Sequence, residues 1–287
     1  MWILFAFGAA LFAGVMSILA KLGIKNVDSN LATALRTVIV MIFAWLMVLI
    51  VGSHRLLFEI ENRTLLFLVL SGLSTGASWL CYFRALQVGD VGKVVPVDKS
   101  STVLTILLSF IILGEGFSLL KILAMILIGT GTYLMIELKK KESQEQKKDF
   151  RWLFYAILAA VFASLTAILG KIGIENIESN LGTAIRTVVV LVMAWLIVFM
   201  QRKQRDIKQI EKRSWLFITL SGIATGLSWL CFYRALQEGP ASVVVPIDKL
   251  SIVITIAFSY LVLRERLNKK PLLGLLMIVI GTLSLLI

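Results

Sequence analysis

The sequence predicts an all-α membrane protein with ten transmembrane helices, arranged as two inverted five-helix repeats. Three observations predict it. Apolar residues are in excess and gather into long runs, the chain repeats itself at a spacing of 150 residues, and each copy holds an odd number of runs. Hydrophobic residues make up 59% of the 287, and charged residues only 16%. A soluble domain averages about 45–50% apolar and about 25% charged, so the surplus points to lipid as solvent. The runs 65–70, 103–113 and 272–287 show how it is concentrated.

The repeat is the most specific signal. Shifting the chain by 150 aligns it with itself without a gap, and 61 of 137 aligned pairs are identical. Lys21 meets Lys171, Arg36 meets Arg186, and Trp79-Leu80-Cys81 meets Trp229-Leu230-Cys231. Arg84 meets Arg234, Glu115 meets Glu265, and Pro96, Asp98 and Lys99 meet Pro246, Asp248 and Lys249. The first repeat is placed at 1–138 and the second at 152–287, joined by a polar linker at 139–151.

Each repeat has five runs long enough to cross about 30 Å of hydrocarbon at about 1.5 Å per residue. They lie near 2–21, 31–51, 65–87, 91–113 and 118–137, then near 152–171, 181–201, 215–237, 241–263 and 271–287. Residues 2–20 resemble a signal peptide in length, but they have an internal copy at 152–170 and are expected to be a retained span. Two consecutive five-span units enter the membrane from opposite sides, which makes the repeats inverted. On this topology 22 of the 29 Lys and Arg residues fall on the linker's side. The positive-inside rule then places the linker in the cytoplasm and both termini outside, in a multi-pass protein of the cell membrane. It also accounts for the net charge of +12 without invoking nucleic acid. Cys81 and Cys231 sit at equivalent positions inside apolar runs and are expected to be packing thiols.

Charges inside spans are costly and mark functional candidates. Arg36 is expected about 10 Å into the second span, and Asp98 and Lys99 about 12 Å into the fourth. Arg84 lies near the end of the third span, so all four converge from one side, with Arg36 and Arg84 as the expected partners of Asp98. The copies Arg186, Arg234, Asp248 and Lys249 converge from the other side. Pro96 and Pro246 lack an N–H and predict helix breaks beside the Asp-Lys pairs. The competing reading is a structural salt-bridge network, with Arg84 snorkelling to the interface. Trp79, Tyr82, Trp229 and Tyr233 are candidates for a cavity wall, against ordinary lipid-facing aromatics. Gly72 and Gly76, flanked by Ser71 and Thr75, repeat as Gly222 and Gly226 and predict close helix packing. Glu115 and Glu265 are expected at the interface.

The run Trp79–Leu113, with Ala85-Leu86, Pro96 and Leu113-Gly114-Glu115, resembles the EamA domain of the drug/metabolite transporter superfamily. Trp229–Glu265 matches again through Ala235-Leu236, Pro246 and Leu263-Arg264-Glu265. The Val-Val-Pro-Val-Asp-Lys run at 94–99 and the Val-Val-Pro-Ile-Asp-Lys run at 244–249 resemble its small five-span bacterial and archaeal branch, whose members mostly carry one repeat per chain. The resemblance implies a ten-helix bundle around a central cavity and alternating access. It also implies export or exchange of amino acids, nucleotide sugars, sugar phosphates, drugs or other metabolites. The small multidrug branch uses a glutamate in its first helix, and residues 2–20 and 152–170 contain no acidic residue.

The expected function is therefore secondary active transport, export or exchange, of a small organic metabolite. The embedded charges are net positive, which favours an amino acid or other carboxylate. A flippase for a lipid-linked substrate and a multidrug exporter of the same superfamily are the alternatives. An enzyme is not expected, because His54 is the only histidine and no nucleophile–base or metal constellation is present. No cofactor or metal is expected. The expected partners are a small-molecule substrate and the lipid bilayer but not nucleic acid, with a homodimer left open.

Overall fold

A computed structural model describes the backbone of residues 1–23, 27–88, 91–116, 118–135, 150–262 and 269–286, and within these not the side chains of Lys21, 91–93, Pro96 and 259–262. Residues 139–149 of the expected linker and Glu265 lie outside the described residues, as does the side chain of Pro96.

Among the described residues there are twelve α-helices and no strand. The first repeat supplies α1 (Trp2–Gly23), α2 (Ser29–Val51), α3 (Asn62–Val88), α4 (Val91–Lys99), α5 (Ser101–Ile112) and α6 (Leu119–Leu134). The second supplies α7 (Arg151–Gly173), α8 (Ser179–Met200), α9 (Lys212–Glu238), α10 (Ala241–Lys249), α11 (Ser251–Val262) and α12 (Lys269–Ser284). Seven stretches among the described residues are long and apolar enough to cross a bilayer, Ala241–Phe258 being one of them. The protein is a multi-pass membrane protein.

The duplication carries local signals as well as spans. Asp28 caps α2 by accepting from the N–H groups of Asn30 and Leu31 at 3.0 and 3.1 Å. Its copy Glu178 caps α8 through Asn180 and Leu181, both at 3.0 Å. A carboxylate there satisfies orphan donors and faces the positive helix end. Gly52 stops α2 in the left-handed region at φ 81°, whereas the second repeat places Arg202 there at φ 57°. Each stop leads into a 3₁₀ segment, Ser53–Glu59 and Lys203–Gln209, in stretches expected only as loops.

The fourth and ninth spans are each two helices. At Ser100 the ladder steps from i−4 to i−3 bonding: its N–H donates to the Val97 carbonyl at 3.2 Å, and its hydroxyl to the same carbonyl at 2.6 Å. Leu250 makes the same step onto Ile247 at 2.9 Å without a hydroxyl, so the break belongs to the backbone of both copies. It falls one turn past each proline, directly after the Asp-Lys pair.

The repeats are not separate bodies. α3 packs on α7 and α1 on α9; α2 packs on α8 and α6 on α12. The secondary pairings obey the same exchange, α2 on α9 with α3 on α8, and α5 on α7 with α1 on α11. Helix ends give the directions. Trp2, at the start of α1, packs over Gly239. The Gly239 carbonyl accepts from Lys171, at the end of α7. Asn30, at the start of α2, donates to Gln201, just past α8, at 2.6 Å. The starts of α1 and α2 therefore lie beside the ends of their copies, α7 and α8.

Glycine sets the closest approaches. A Cβ on Gly72 would lie 2.7 Å from the Val189 Cβ and 3.1 Å from the Arg186 carbonyl oxygen. On Gly222 it would lie 2.6 Å from the Ile39 Cβ and 3.2 Å from the Arg36 carbonyl oxygen. The expected packing role holds at both copies. Gly72→Leu is expected to destabilise the bundle by overpacking, by roughly 1–3 kcal/mol. A thermal melt in detergent that matched the parent would remove Gly72 from the interface.

Candidate functional site

The site is built on the two helix breaks. Asp98 and Lys99 end α4, and Asp248 and Lys249 end α10, so each lysine sits in a last turn where carbonyls favour a cation. Asp248 and Lys249 pair at 3.6 Å. Asp98 and Lys99 are within electrostatic reach of Lys249, and Lys99 also of Asp248, so the two breaks form one cluster. Lys99 and Lys249 are solvent-exposed although they stand about 12 Å along their spans.

This pairing differs from the one expected. On a continuous helix, adjacent residues point to different faces, and Asp98 would look to Arg36 and Arg84. The backbone at the break stays in the right-handed region, φ −62°, ψ −12° at Ser100 and φ −64°, ψ −10° at Leu250, and the Lys249 ammonium reaches back to its sequence neighbour Asp248. Among the described residues neither arginine pairs with Asp98. Arg84 is exposed and donates to Gln87 on its own helix at 3.0 Å. Arg234 pairs with Glu238 at 2.7 Å, likewise one turn along its own helix.

Among the described residues Arg186 is the most deeply buried charge, 2% exposed. Its Nε donates to the Ser71 hydroxyl at 3.0 Å and its Nη2 to the Thr75 hydroxyl at 2.6 Å, both on α3 of the other repeat. The guanidinium stacks over the rings of Tyr233 and Trp229, at 4.7 and 5.1 Å from their centroids. Cation–π contact is strongest where water is excluded. Nη1 is buried without a partner. Ser71 in turn donates to the Thr166 carbonyl at 2.7 Å, and Thr75 to the Ser71 carbonyl at 3.0 Å. Two of the four aromatic candidates, Trp229 and Tyr233, therefore hold an arginine. Trp79 and Tyr82 pack into helix contacts, against the Leu31–Leu35–Ile218 cluster and the Ala85–Val94–Ala156 cluster.

The copies are not in the same state. Arg36 is only half-buried, and its Nη1 contacts the Met16 sulfur at 3.3 Å. The Gly239 end is sealed. Glu115 accepts from the N–H groups of Ala241 and Ser242 at the start of α10, and Lys171 Nζ stands 3.9 Å from it. Lys171 also donates to the Leu236 carbonyl at 3.1 Å, and Gln237 to the Ile174 and Ile177 carbonyls. Ala241–Ile247 are buried throughout. Glu115, expected at the interface, instead locks the loop after α5 to the first turn of α10. Sequence reasoning also missed Ser71 and Thr75 as arginine ligands; their four-residue spacing was the available signal. A concavity between Trp2, Lys121, Pro240 and Leu286 opens on the outer face of the sealed end and contains none of these residues. Among the described residues no three His, Cys, Asp or Glu side chains gather as metal ligands.

The EamA-like transporter family model matches the chain twice, over residues 1–137 and 150–287. An uncharacterized transporter in the cobO 3′ region of Sinorhizobium sp. is 46% identical over 134 residues, 47% of this chain and 95% of that relative. It therefore corresponds to a single repeat. An uncharacterized transporter of Archaeoglobus fulgidus is 28% identical over 229 residues, 79% of this chain and 78% of its own length. A crystal structure with 17% identity superposes with a TM-score of 0.78 over 98% of this chain and 95% of its own, which is likeness of fold. Two family matches that between them cover both repeats agree with the duplication at 150, and the chain belongs to the EamA-like transporter family.

Proposed function

We propose that this transporter is a secondary carrier of a small organic anion, a carboxylate such as an amino acid, working by alternating access between two inverted five-span repeats. One observation carries the reading: two interrupted helices bring Asp98, Lys99, Asp248 and Lys249 into one charged cluster partway along the spans. Broken helices at mid-membrane are how many carriers present charged groups and helix ends to substrate. Arg36 and Arg186 add two further cations within the spans, with no carboxylate paired to either among the described residues, an excess that an anionic substrate offsets. The Gly239 end is sealed, while on the opposite side of the cluster Arg36 is half-buried and Arg84 exposed, as in a one-sided open carrier.

Counterflow in liposomes tests the function. Protein loaded with mixed amino acids and other carboxylates should accumulate a labelled member of that pool, and a cationic or lipid-linked tracer should not move. Uptake of the cationic tracer alone would overturn the anion reading.

Inversion is supported by the meeting of helix starts with the ends of their copies. We place the linker in the cytoplasm of a cell-membrane protein, from the distribution of Lys and Arg. In a background without Cys81 and Cys231, a thiol at position 144 (Gln144→Cys) should react only after permeabilisation. One at position 58 (Phe58→Cys), where the side chain is 94% exposed, should react from outside intact cells. The reverse pattern would overturn the orientation.

A further inference from the structure

Arg186 and Arg36 are copies of one residue caught in two situations. Arg186 reaches across the repeat boundary into the Ser71 and Thr75 hydroxyls. The corresponding hydroxyls for Arg36 are those of Ser221 and Thr225 on α9. The backbone is ready to receive it: α9 meets α2 at Gly222 as closely as α3 meets α8 at Gly72, the arginine carbonyl oxygen lying 3.2 and 3.1 Å respectively from where a Cβ on the glycine would stand. Yet Ser221 and Thr225 are buried and donate to carbonyls of their own helix, Ile218 at 2.8 Å and Ser221 at 2.7 Å. Arg36 rests on Met16 instead. Two docks of the same construction are present, and one is filled.

We propose that Ser71–Thr75 and Ser221–Thr225 are alternately occupied arginine docks, and that which one is filled sets which end of the carrier is sealed. The proposal rests on the alternating-access reading. Arg186 in its dock draws α8 and α9 onto α3 through the ring contacts with Trp229 and Tyr233, and this accompanies closure at the Gly239 end. When the bundle opens there, Arg186 leaves its dock and Arg36 enters the other one, closing the opposite end. Hydrogen bonds between helices contribute modestly in lipid, so two of them plus ring contacts bias an equilibrium without freezing it. The undocked guanidinium is the one free to meet the substrate carboxylate, whose fork it matches. Ser71, Thr75, Ser221 and Thr225 are thus positioning residues. Met16 makes the filled dock the favoured one: its counterpart Thr166 supplies a carbonyl to Ser71 and a hydroxyl 3.3 Å from Thr75, and a thioether offers no such hydroxyl.

The test needs no substrate. Ser242 is fully buried at the sealed end, so a thiol there (Ser242→Cys, in a background without Cys81 and Cys231) reports opening. Ser71→Ala with Thr75→Ala is expected to raise its reaction rate with a small water-soluble maleimide about tenfold, the worth of two weakened charge-assisted bonds. Ser221→Ala with Thr225→Ala should leave the rate unchanged or lower it. Met16→Thr, which leaves the filled dock intact, should raise it by strengthening the other. Each variant is checked for its melting temperature. A parental rate in both Ser71→Ala/Thr75→Ala and Met16→Thr overturns the proposal, and so does an equal rise in both alanine pairs, which would mean general loosening. Counterflow of the parent is run in parallel. Its absence overturns the carrier reading and leaves the labelling result standing as a statement about conformation.

Discussion

Asp248→Asn is expected to give a folded protein whose transport falls roughly a hundredfold, and Asp98→Asn to do the same, the scale set by misplacing groups that must hold a substrate in register. Each aspartate is the sequence neighbour of the lysine of its own break, and among the described residues Asp98 and Asp248 are the carboxylates acting on Lys99. Removing either leaves Lys99 and Lys249 facing one another with one counter-charge between them. Substrate would then enter a cluster that repels itself, and a conformation that brings the lysines together would be lost. Folding should survive, because the Asp248–Lys249 pair is not fully buried in the bundle, with side chains 19% and 44% exposed. Such pairs contribute about 0–1 kcal/mol. Counterflow and thermal melts on the same preparations decide the matter. Normal transport by both variants would make the cluster scaffolding.

How far the sequence foretold this depends on what each residue's neighbours were. The all-helical membrane character and the duplication were legible because lipid forces apolar length onto crossing helices, and a gapless repeat needs no structure to be seen; seven stretches of the described residues meet the length and apolarity of a span. Pro96 and Pro246 led to an expected break, and the interruption described lies elsewhere along the helix. A proline weakens the ladder around the carbonyl four residues back, whereas the observed step lies four residues forward, at Ser100 and at Leu250. The electrostatics differ from expectation too: at the end of α10 Asp248 and Lys249 meet each other, and Arg84 bonds Gln87 on its own helix rather than Asp98.

The stripe of Ser71, Gly72, Thr75 and Gly76 was legible as packing and illegible as a ligand set. The two roles have one cause. Gly72 lets the Arg186 carbonyl come within 3.1 Å of where a Cβ would stand, and the same approach delivers the guanidinium to the hydroxyls beside it. What no sequence pattern could give is the difference between Arg36 and Arg186. The repeat makes them equivalent; only the state of the bundle, aided by Met16 against Thr166 and Phe83 against Tyr233, separates them.

Arg186→Met separates function from scaffold most sharply. The melting temperature is expected to match or exceed the parent's, and transport is expected to fall to background. Arg186 carries a full charge into a site with no carboxylate beside it among the described residues, and one nitrogen has no partner at all. Desolvating such an ion costs several kcal/mol, offset only in part by two hydroxyls and two rings. Replacing buried charge with an apolar side chain of similar volume is often neutral or stabilising by about 1–4 kcal/mol. No donor is orphaned by the change, because Ser71 keeps the Thr166 carbonyl and Thr75 keeps the Ser71 carbonyl. The methionine sulfur can rest against Trp229 and Tyr233 where the guanidinium lay. Arg186→Lys should not restore transport, since an ammonium cannot present a flat fork to two hydroxyls and a carboxylate. A protein that melts lower with methionine and moves substrate normally with lysine would show Arg186 to be a structural tie, held for packing alone.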